Sequence, residues 1–530
     1  MTPRPNVLIF IADQLRADHL GFAGNQEVRT PHLDRLAKVS TQFTNAYVAN
    51  PTCMPNRASL LTGRWPSAHG TRCNGIALDP DANTFVRQLA RDGYRTAAVG
   101  KLHHQNMGWD YEGKQLAQIE ETSPELLDPH VPDAVERSWE EGWDKWEDRQ
   151  RHSAEYLPLP DDYYGYQHVD LIIGHGDAPG GHWEHWARQQ GVEPRQLGGA
   201  DASQQVAPSW EQVYTSEIPA AAHPTRFVGD KAIENLERCA QTEDPFFLFV
   251  SFPDPHHPFA PPKEYADRYD PAQLSLPETF HDDPQQVPAH IRAMLDRRGV
   301  PDEDPTMTFA VTEEQYSAAL AAQYGLIEFM DEQIGRVLQH LEDSGQAENT
   351  IILFTSDHGD LFGDHGLMLK HFVHYTAVTN VPLLVHLPGQ HSSHASDDLV
   401  STTDIAPTIL ELTQAPSYRG IQGQSLVPLL ETGTIEPGRA ALLIEEDQPF
   451  SPEGLPAPAR IRTVVSQQGR LTRYYGTDEL EVYDHAVDPH ERVNIASWAD
   501  PTKTQRELER HLADELMRLA ETGRAPTSSA

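Results

Sequence analysis

The stretch NVLIFIADQ, residues 6–14, decides the fold, because it joins a fully apolar run to two polar side chains. The run Val7–Ala12 shows no alternation of polar and apolar residues, which predicts a strand buried on both faces. Similar runs, Pro245–Phe252 and Thr350–Thr355, follow far along the chain. Helical patterns separate them, and in Tyr324–Leu341 apolar residues recur at helical spacing. This alternation predicts an α/β fold with a large, mostly parallel sheet covered by helices on both faces.

The chain is predicted to divide near residue 432. Residues 1–432 would form the α/β domain and residues 433–530 a smaller α+β domain. The second part contains short β-like runs and then a helical pattern, at Ala441–Ile444, Arg462–Val465, Leu471–Tyr475 and Leu508–Leu519. The terminal helix could cap its own domain or dock on a second copy, so a homo-oligomer stays an open alternative.

Three stretches of the first part lack periodicity. Residues 105–225 are rich in Trp, Tyr, His, Gly and Pro, and residues 253–262 and 284–305 are rich in proline. Long irregular insertions in compact enzymes usually shape a binding site. We therefore expect 105–225 to be a variable segment that shapes the substrate site, and the proline-rich stretches to be loops.

The charge balance limits the partners that the protein can have. Its 530 residues include 41 Lys and Arg against 79 Asp and Glu, a formal net charge of −38. This charge argues against general binding of nucleic acid or anionic membranes. No apolar run approaches the roughly 18 residues of a membrane span. The acidic surface fits either salty surroundings or an ordinary acidic soluble protein.

The cysteines and the first residues indicate the compartment. Three cysteines, Cys53, Cys73 and Cys239, do not make a disulfide framework for a chain of this length. The first apolar run is shorter than a typical secretion signal and leads directly into Asp13, without the small residues of a cleavage site. We therefore expect a cytoplasmic protein.

Polar side chains follow two of the predicted strands. Asp13 and Gln14 end the first, and Ser356–Asp360 ends the strand Thr350–Thr355. Ligand sites of open α/β sheets gather at the carboxyl ends of strands, and carboxylate, amide and imidazole groups together bind divalent cations. Each pair alone could be a helix cap or a turn. Two such pairs at strand ends favour a metal site.

A third cluster lies in Asn50–Arg64, NPTCMPNRASLLTGR. Cys53 lies on a proline-punctuated turn before Arg57, and a helix is predicted to begin at about Ala58. A helix N-terminus beside an arginine suits an anion and lowers the pKa of a thiol. The alternative is a buried structural cysteine; the neighbouring arginine and the helix start favour the reactive one.

These residues resemble the signature of the formylglycine-dependent (type I) sulfatases, of the alkaline-phosphatase-like superfamily. Cys53-x-Pro55-x-Arg57 followed by ASLLTGR carries the resemblance. Other blocks similar to the family lie at Asn6–Asp13, Thr30–Ala37, Gly93–His103, Ser356–Gly359, Asp404–Leu410 and Tyr483–Pro489. The resemblance implies the alkaline-phosphatase-like fold and hydrolysis of a small organic sulfate monoester to an alcohol and sulfate.

The resemblance also implies how Cys53 would react. A maturation enzyme of the cell would oxidise it to formylglycine, whose hydrate offers two hydroxyls on one carbon. One hydroxyl would attack sulfur, and the other would then drive the release of sulfate. The catalytic positions of the family correspond to Cys53, Arg57, Lys101, His103, His256 and Lys370. Among these, His256 and Lys370 would be the candidate acids.

Similarity further assigns the metal ligands to Asp13, Gln14, Asp357 and His358, completed by the modified Cys53. Calcium is the usual metal of the family; an amide and an imidazole among the ligands leave room for manganese, and magnesium is a further alternative. The implied site is a compact cationic pocket for one small anion.

Several residues keep alternative interpretations. Asn74 could contact substrate or form an Asn-Gly turn, and His175 could line the pocket or belong to a packed aromatic loop. Lys101 could be a surface lysine at a strand end. Gln14 with His358 also resembles the phosphonate monoester hydrolases, which lack the Lys and His seen at 101 and 103. An inactive binding protein would be expected to have lost a matched position, and here all are filled.

Overall fold

The computed structural model describes residues 4–128, 130–135, 138–193, 196, 204–205, 210–284, 286–435, 438–520 and 523. The strands are β1 Asn6–Ala12, β2 Thr41–Phe43, β3 Ala46–Tyr47, β4 Arg95–Lys101, β5 His168–Ile173, β6 Gly180–Gly181, β7 Gln204–Gln205, β8 Tyr214–Thr215, β9 Phe246–Ser251, β10 Phe309–Ala310, β11 Thr350–Ser356, β12 Leu367–Met368, β13 Leu383–His386, β14 His394–Ser396, β15 Val400–Ser401, β16 Leu442–Gln448, β17 Ala459–Ser466, β18 Gly469–Tyr474 and β19 Leu480–Asp484. The α-helices are α1 Pro31–Ala37, α2 Cys53–Thr62, α3 Pro66–His69, α4 Phe85–Arg91, α5 Gly113–Thr122, α6 Arg149–Ala154, α7 His182–Gln189, α8 Pro224–Cys239, α9 Lys263–Ala266, α10 Ala289–Asp296, α11 Glu313–Asp343, α12 Thr376–Thr379, α13 Ile405–Leu412, α14 Val427–Thr432 and α15 Lys503–Arg518.

One large sheet organises the molecule. Its strand order is β14-β2-β13-β11-β1-β9-β4-β5-β6, and the five strands from β11 to β5 run parallel to one another. Strand β1 lies between β11 and β9, as expected for a run that is apolar throughout. The predicted α/β fold with a large, mostly parallel sheet is confirmed.

Alternate residues of β1 enter different apolar cores. Leu8 and Phe10 face the core that contains α8 and α11, while Val7 and Ile9 face the core that contains α2, α4 and α13. Burial on both faces explains why the sequence of this strand shows no polar alternation.

The helix α11 is longer than its periodic pattern predicts. It begins at Glu313, eleven residues before the predicted Tyr324, behind a capping box in which Thr312 and Gln315 bond to each other's backbone N–H groups. Its first turns carry small buried residues, such as Ala319 and Ala322. Alanines give a weak hydrophobic signal, which is why the sequence pattern missed this part.

The C-terminal part forms its own antiparallel sheet, in the order β16-β17-β18-β19, with α15 packed against it. The sequence predicted the first three strands and the helix, but not β19. Leu443 and Ile444 of β16 pack into the core under the large sheet. The boundary at residue 432 therefore stays a prediction.

Two stretches predicted to be irregular contain regular elements. In residues 105–225, β5 pairs with β4 inside the large sheet, so this region is only partly an insertion. In residues 284–305, α10 forms after Pro288, because a proline just before a helix leaves its backbone bonds intact. In the described parts of the chain, no helix has both the length and the apolar character needed to cross a bilayer.

Candidate functional site

Register brings the two predicted carboxylates to one place. Ala12 of β1 pairs with Ser356 of β11, so Asp13 and Asp357 leave the sheet side by side. The backbone N–H of Gln14 donates to Asp357 Oδ1 over 3.1 Å. Gln14 has a φ of 60°, in the left-handed region that costs a non-glycine residue free energy. Such backbone conformations cluster at functional sites.

Cys53 begins α2 directly, five residues before the predicted start, and points at this edge. The residue is 1% exposed. Its Sγ lies 3.1 Å from His358 Nε2 and 3.7 Å from Asp13 Oδ1. Asn56, on the same helix, donates to the backbone oxygen of Asp357. The helix is therefore fixed to the strand end that carries Asp357 and His358.

Four side chains at this point fit a divalent cation. The donor atoms of Asp13, Cys53, Asp357 and His358 all lie within 4.8 Å of one another, and all four residues are buried. His358 Nδ1 lies 2.8 Å from the carbonyl oxygen of Gly359, which can only accept, so the proton is on Nδ1 and the Nε2 lone pair faces the cluster. Two carboxylates and one imidazole suit a hard or borderline divalent ion.

The side chain of Gln14 contacts residues that surround this cluster. Its amide oxygen accepts from Lys370 Nζ over 2.5 Å, and its amide nitrogen donates to Asp360 Oδ2. His257 Nδ1 lies 3.2 Å from the same nitrogen. In this arrangement the amide oxygen faces the ammonium of Lys370.

Arg57 ties the carboxylates to two other strands. It is 2% exposed, and its Nε donates to Asp357 Oδ2 over 2.7 Å. Its Nη1 donates to the backbone oxygen of Lys101 and to Ser251 Oγ, while Nη2 lies 3.5 Å from Asp13 Oδ2. The planar fork thus joins the ends of β1, β4, β9 and β11.

Lys101 is fully buried, not a surface lysine. Its Nζ donates to Asp13 Oδ2 and lies 2.5 Å from His175 Nε2, which accepts. Burial would raise the pKa of Asp13, but the charges of Lys101, Arg57 and Lys370 outweigh it and hold that pKa well below its usual range. Asp13 is therefore ionised across the physiological range.

Lys370 pairs with His256 beside Cys53. Lys370 Nζ lies 2.8 Å from His256 Nε2 and 3.5 Å from Cys53 Sγ. His256 Nδ1 contacts the carbonyl oxygen of His257 and must carry a proton to do so, which leaves Nε2 as the acceptor for Lys370. Burial, with the charges of His175 and Lys370, holds the pKa of His256 well below its usual value. His256 is thus neutral.

The segment that carries Lys370 has an unusual backbone and is held from the C-terminal sheet. Leu369, His371 and Phe372 have φ values of 72°, 91° and 62°. Glu446 of β16 accepts from the backbone N–H of Phe372 over 2.9 Å and lies 3.0 Å from His374 Nε2.

The same carboxylate meets His371 Nδ1 at 3.2 Å. Burial would raise the pKa of Glu446, but its hydrogen bonds to His371 and His374 outweigh it and lower that pKa. The ionised Glu446 therefore holds the loop that presents Lys370.

His103 lies beside Lys101 on a tight turn, with a φ of 54°. Glu147 fixes this turn, because its carboxylate accepts from the backbone N–H groups of His103 and His104 over 2.7 and 2.9 Å. Burial and the nearby charge of Lys101 hold the pKa of His103 well below its usual value.

Comparison with known proteins identifies the family. A family model described as Sulfatase matches residues 5–415. The chain belongs to the sulfatase family. A second model, described as N-sulphoglucosamine sulphohydrolase, C-terminal, matches residues 363–520. Membership makes the protein an enzyme that hydrolyses sulfuric esters, with the fold of the alkaline phosphatase superfamily.

Individual relatives of the sulfatase have low sequence identity, but their alignments cover most of both chains. An arylsulfatase of Clostridium perfringens is 28% identical over 453 residues, which cover 81% of this chain and 79% of the relative. A multifunctional alkaline phosphatase superfamily protein of Trinickia caryophylli is 27% identical over 517 residues, covering 93% and 91%. The crystal structure of a phosphonate monoester hydrolase of Agrobacterium radiobacter superposes with a TM-score of 0.73 at 25% identity, covering 97% and 95%.

The sulfatase brings most of the predicted site residues into one contact network. Its members are Asp13, Gln14, Cys53, Arg57, Lys101, His175, His256, Asp357, His358 and Lys370. Asn74 accepts from the N–H of Met54 at the start of α2, over 3.2 Å. Of the aromatic stretch after His175, Trp183 packs away from the site and donates to the backbone of Ala222. The roles of all these residues in the reaction stay predictions.

Four contributors escaped the sequence reasoning. Asp360 and His257 hold Gln14, Glu147 holds His103, and Glu446 holds the loop of Lys370. Asp360 ends the polar stretch Ser356–Asp360 and His257 directly follows His256, so their places in the sequence were a signal. Glu147 and Glu446 lie in stretches without a motif, and the fold alone brings them close.

Proposed function

We propose that this sulfatase hydrolyses an organic sulfate monoester to an alcohol and inorganic sulfate, with Cys53 converted to formylglycine and one divalent cation. The observation that carries the proposal is the surroundings of Cys53. Its Sγ lies within 3.1–3.7 Å of His358, Lys370 and Asp13 in a buried pocket at the carboxyl edge of the sheet.

Two groups would supply chemistry that the ordinary side chains lack. Formylglycine at position 53, as its hydrate, would supply two hydroxyls on one carbon, one to take the sulfuryl group and one to expel it. A cation held by Asp13, Gln14, Asp357 and His358 would supply Lewis acidity toward a sulfate oxygen. Calcium is our first candidate, and the imidazole ligand keeps manganese as the second.

Arg57, Lys101 and His103 would act on the negative charge. The guanidinium of Arg57 orients both carboxylates and adds a fixed positive charge beside position 53. Lys101 is buried beside Asp13, where a low dielectric strengthens its attraction for a sulfate oxygen. His103 is held next to this lysine by Glu147 and would contact the same group.

Lys370 would protonate the leaving oxygen as the S–O bond breaks. The neutral His256 offers its Nε2 lone pair to the ammonium, so in this arrangement it orients the acid and does not donate from Nε2. The family resemblance implied two candidate acids, His256 and Lys370, and the hydrogen-bond directions favour Lys370 as the donor. The contact of Lys370 with position 53, at 3.5 Å, places its ammonium close to where the sulfuryl group would be transferred.

A second candidate function is hydrolysis of phosphonate monoesters or phosphate diesters. The TM-score of 0.73 with a phosphonate monoester hydrolase, together with Gln14 and His358, favours it. Lys101 and its contact with Asp13 and His175 favour the sulfatase reaction, because an extra cation assists a poor leaving group.

The test compares kcat/KM for an aryl sulfate, an aryl phosphonate and a phosphate diester with the same phenol. We expect the sulfate to be the best of the three substrates. Dominant turnover of the phosphonate or the diester would overturn the proposal. Protein made in its native host, or beside a formylglycine-generating enzyme, should also give a Cys53 peptide with the mass of the aldehyde. An unmodified thiol in such protein would rule out the formylglycine mechanism.

A further inference from the structure

The residues around the predicted reaction centre differ in their exposure to solvent. Cys53 is 1% exposed, and Lys101, His256 and Lys370 are no more than 2% exposed. The side chain of His175, by contrast, is 19% exposed although it contacts Lys101 and stacks on His256 at 3.6 Å. Asn74, which bonds to the start of α2, is also only half-buried. We therefore infer that a substrate enters on the side of His175 and Asn74, and we call this side the mouth of the site.

Two aromatic side chains of one short segment flank this mouth. Trp109 lies against Gly174, the residue before His175; a Cβ atom at Gly174 would lie 3.1 Å from Cη2 of the indole. Tyr111 lies against Gly75, the residue after Asn74, and a Cβ atom there would lie 3.2 Å from its hydroxyl. Residues 109–111 thus cross the mouth from one side to the other.

The indole ring of Trp109 is exposed to solvent, and the backbone just before it is held by contacts. Trp109 is 61% exposed, an unusual amount for the largest apolar side chain. Two residues earlier, the carbonyl oxygen of Met107 accepts from the N–H of Arg149, and Met107 itself is 4% exposed. Gly108 fits closely against Asp148, where a Cβ atom would meet the carboxylate at 2.9 Å. The ring is therefore held at the mouth rather than carried on a loose loop.

When the sulfate group of the substrate lies at Cys53, its leaving alcohol should lie beside the ring of Trp109. The sulfate group must reach the buried atoms around Cys53, so the alcohol part of the ester extends outward past His175. A flat ring face on that part can stack on the indole, whereas a short acyclic alcohol offers little to stack. The neighbours Asp110 and Glu112 are exposed carboxylates, which disfavour an additional anionic group on the leaving alcohol.

We propose that Trp109, assisted by Tyr111, forms the binding site for the leaving group, and that it selects sulfate esters of uncharged ring alcohols, aromatic or sugar. This inference rests on the proposed sulfatase function. Tyr111 is anchored on its inner side by an edge contact with Phe450, at 6.1 Å between ring centroids. It would close the far side of the mouth.

The experiment uses Trp109→Ala and Trp109→Phe, with Trp498→Ala as the matched control. Trp498 is also exposed, at 54%, but lies on the C-terminal part. The substrates are 4-nitrophenyl sulfate, glucose 6-sulfate and an unbranched short alkyl sulfate. For a ring substrate, Trp109→Ala should lower kcat/KM about 3- to 12-fold, mostly through KM, as expected for one lost ring stack. Trp109→Phe should keep most of the activity, and the alkyl sulfate should change less than twofold.

The outcomes separate the parts of the proposal. A loss confined to the nitrophenyl ester assigns an aryl leaving group, and a loss with glucose 6-sulfate assigns a sugar; either supports the ring site. An equal loss for ring and alkyl esters, or no loss for either ring ester, overturns it. Calorimetric binding of free 4-nitrophenol tests the same ring without turnover, and Trp109→Ala should weaken it severalfold. If the wild-type enzyme hydrolyses none of the sulfates, the proposed function fails, while unchanged nitrophenol binding in Trp109→Ala would sink the ring site by itself.

Discussion

Replacing Lys370 by methionine removes a buried ammonium and keeps an unbranched side chain of similar length. The ammonium has three partners: the amide oxygen of Gln14 at 2.5 Å, His256 Nε2 at 2.8 Å and Cys53 Sγ at 3.5 Å. The first two contacts fix its position. The third proton points toward position 53, and it is the one that we expect the leaving oxygen to take.

The size of the loss depends on the leaving group. Losing a hydrogen bond from a charged donor costs about 1.5–3 kcal/mol, which corresponds to roughly 10- to 150-fold in kcat/KM. Losing proton transfer costs a further 10²- to 10⁴-fold, approximately, but only where the leaving oxygen needs a proton. Lys370→Met should therefore lower kcat/KM about 10- to 150-fold for a strongly acidic phenol and beyond roughly 10³-fold for a weakly acidic alcohol.

The assay measures kcat/KM for a series of aryl and alkyl sulfates of graded leaving-group acidity. The plot against leaving-group pKa should steepen in Lys370→Met. His256→Gln should keep more activity than His256→Ala, because an amide oxygen can still accept from Lys370. Lys503→Met, at a lysine whose side chain is 83% exposed, serves as the control. An equal loss across the whole series would refute the assignment of Lys370 as the acid.

Three further changes test other parts of the site. Arg57→Lys keeps the positive charge but loses the planar guanidinium, so each buried acceptor that loses its partner, such as Ser251 Oγ, costs about 1–3 kcal/mol. The denaturation midpoint and kcat/KM should therefore both fall. Unchanged values would contradict the contacts described for Arg57. Glu446→Gln should lower Tm at pH 7 by removing the charge that faces His371 and His374. Because the folded pKa of Glu446 lies below its unfolded value of about 4.3, this charge stabilises the fold above that pH. The difference in Tm from wild type should shrink as pH falls below about 4.3 toward the folded pKa, and a difference that stays constant there would argue against this role of Glu446. Dialysis against a chelator should abolish turnover and lower Tm, and calcium or manganese should restore both; at 100 times Kd the ion would stabilise by about 2.7 kcal/mol. Full activity after dialysis would remove the metal from the proposal.

The fold and the cluster of candidate metal ligands could be predicted because local sequence patterns report them. A strand buried on both faces is apolar throughout, and polar residues directly after it must lie at the sheet edge, as Asp13 and Asp357 do. The predicted start of α2, at about Ala58, is too late, because Pro55 suggested a turn. The helix begins at Cys53, and proline is tolerated in the first turn of a helix.

Other parts depend on distant contacts that no local pattern carries. Lys101 ends a strand, and its burial could be expected only from the family resemblance, since the charge it faces comes from another strand. Glu446 meets the loop of Lys370 across 74 residues of sequence, between Phe372 and β16. Strand β5 was hidden in a stretch of mixed composition, because its place in the sheet is set by pairing with β4.

The burial of Cys53 also determines when this residue is accessible during synthesis of the chain. The residue that closes over it, His358, lies 305 residues later in the chain. At about 5–20 residues per second, a ribosome needs roughly 15–60 s to synthesise that interval. During this interval strand β11 has not yet been synthesised, so β1 lacks this partner. Asp357, His358 and Lys370 do not yet surround the thiol. If Cys53 is converted to formylglycine as we propose, the modifying enzyme would reach it most easily in this interval, and slower synthesis of the middle of the chain should raise the modified fraction.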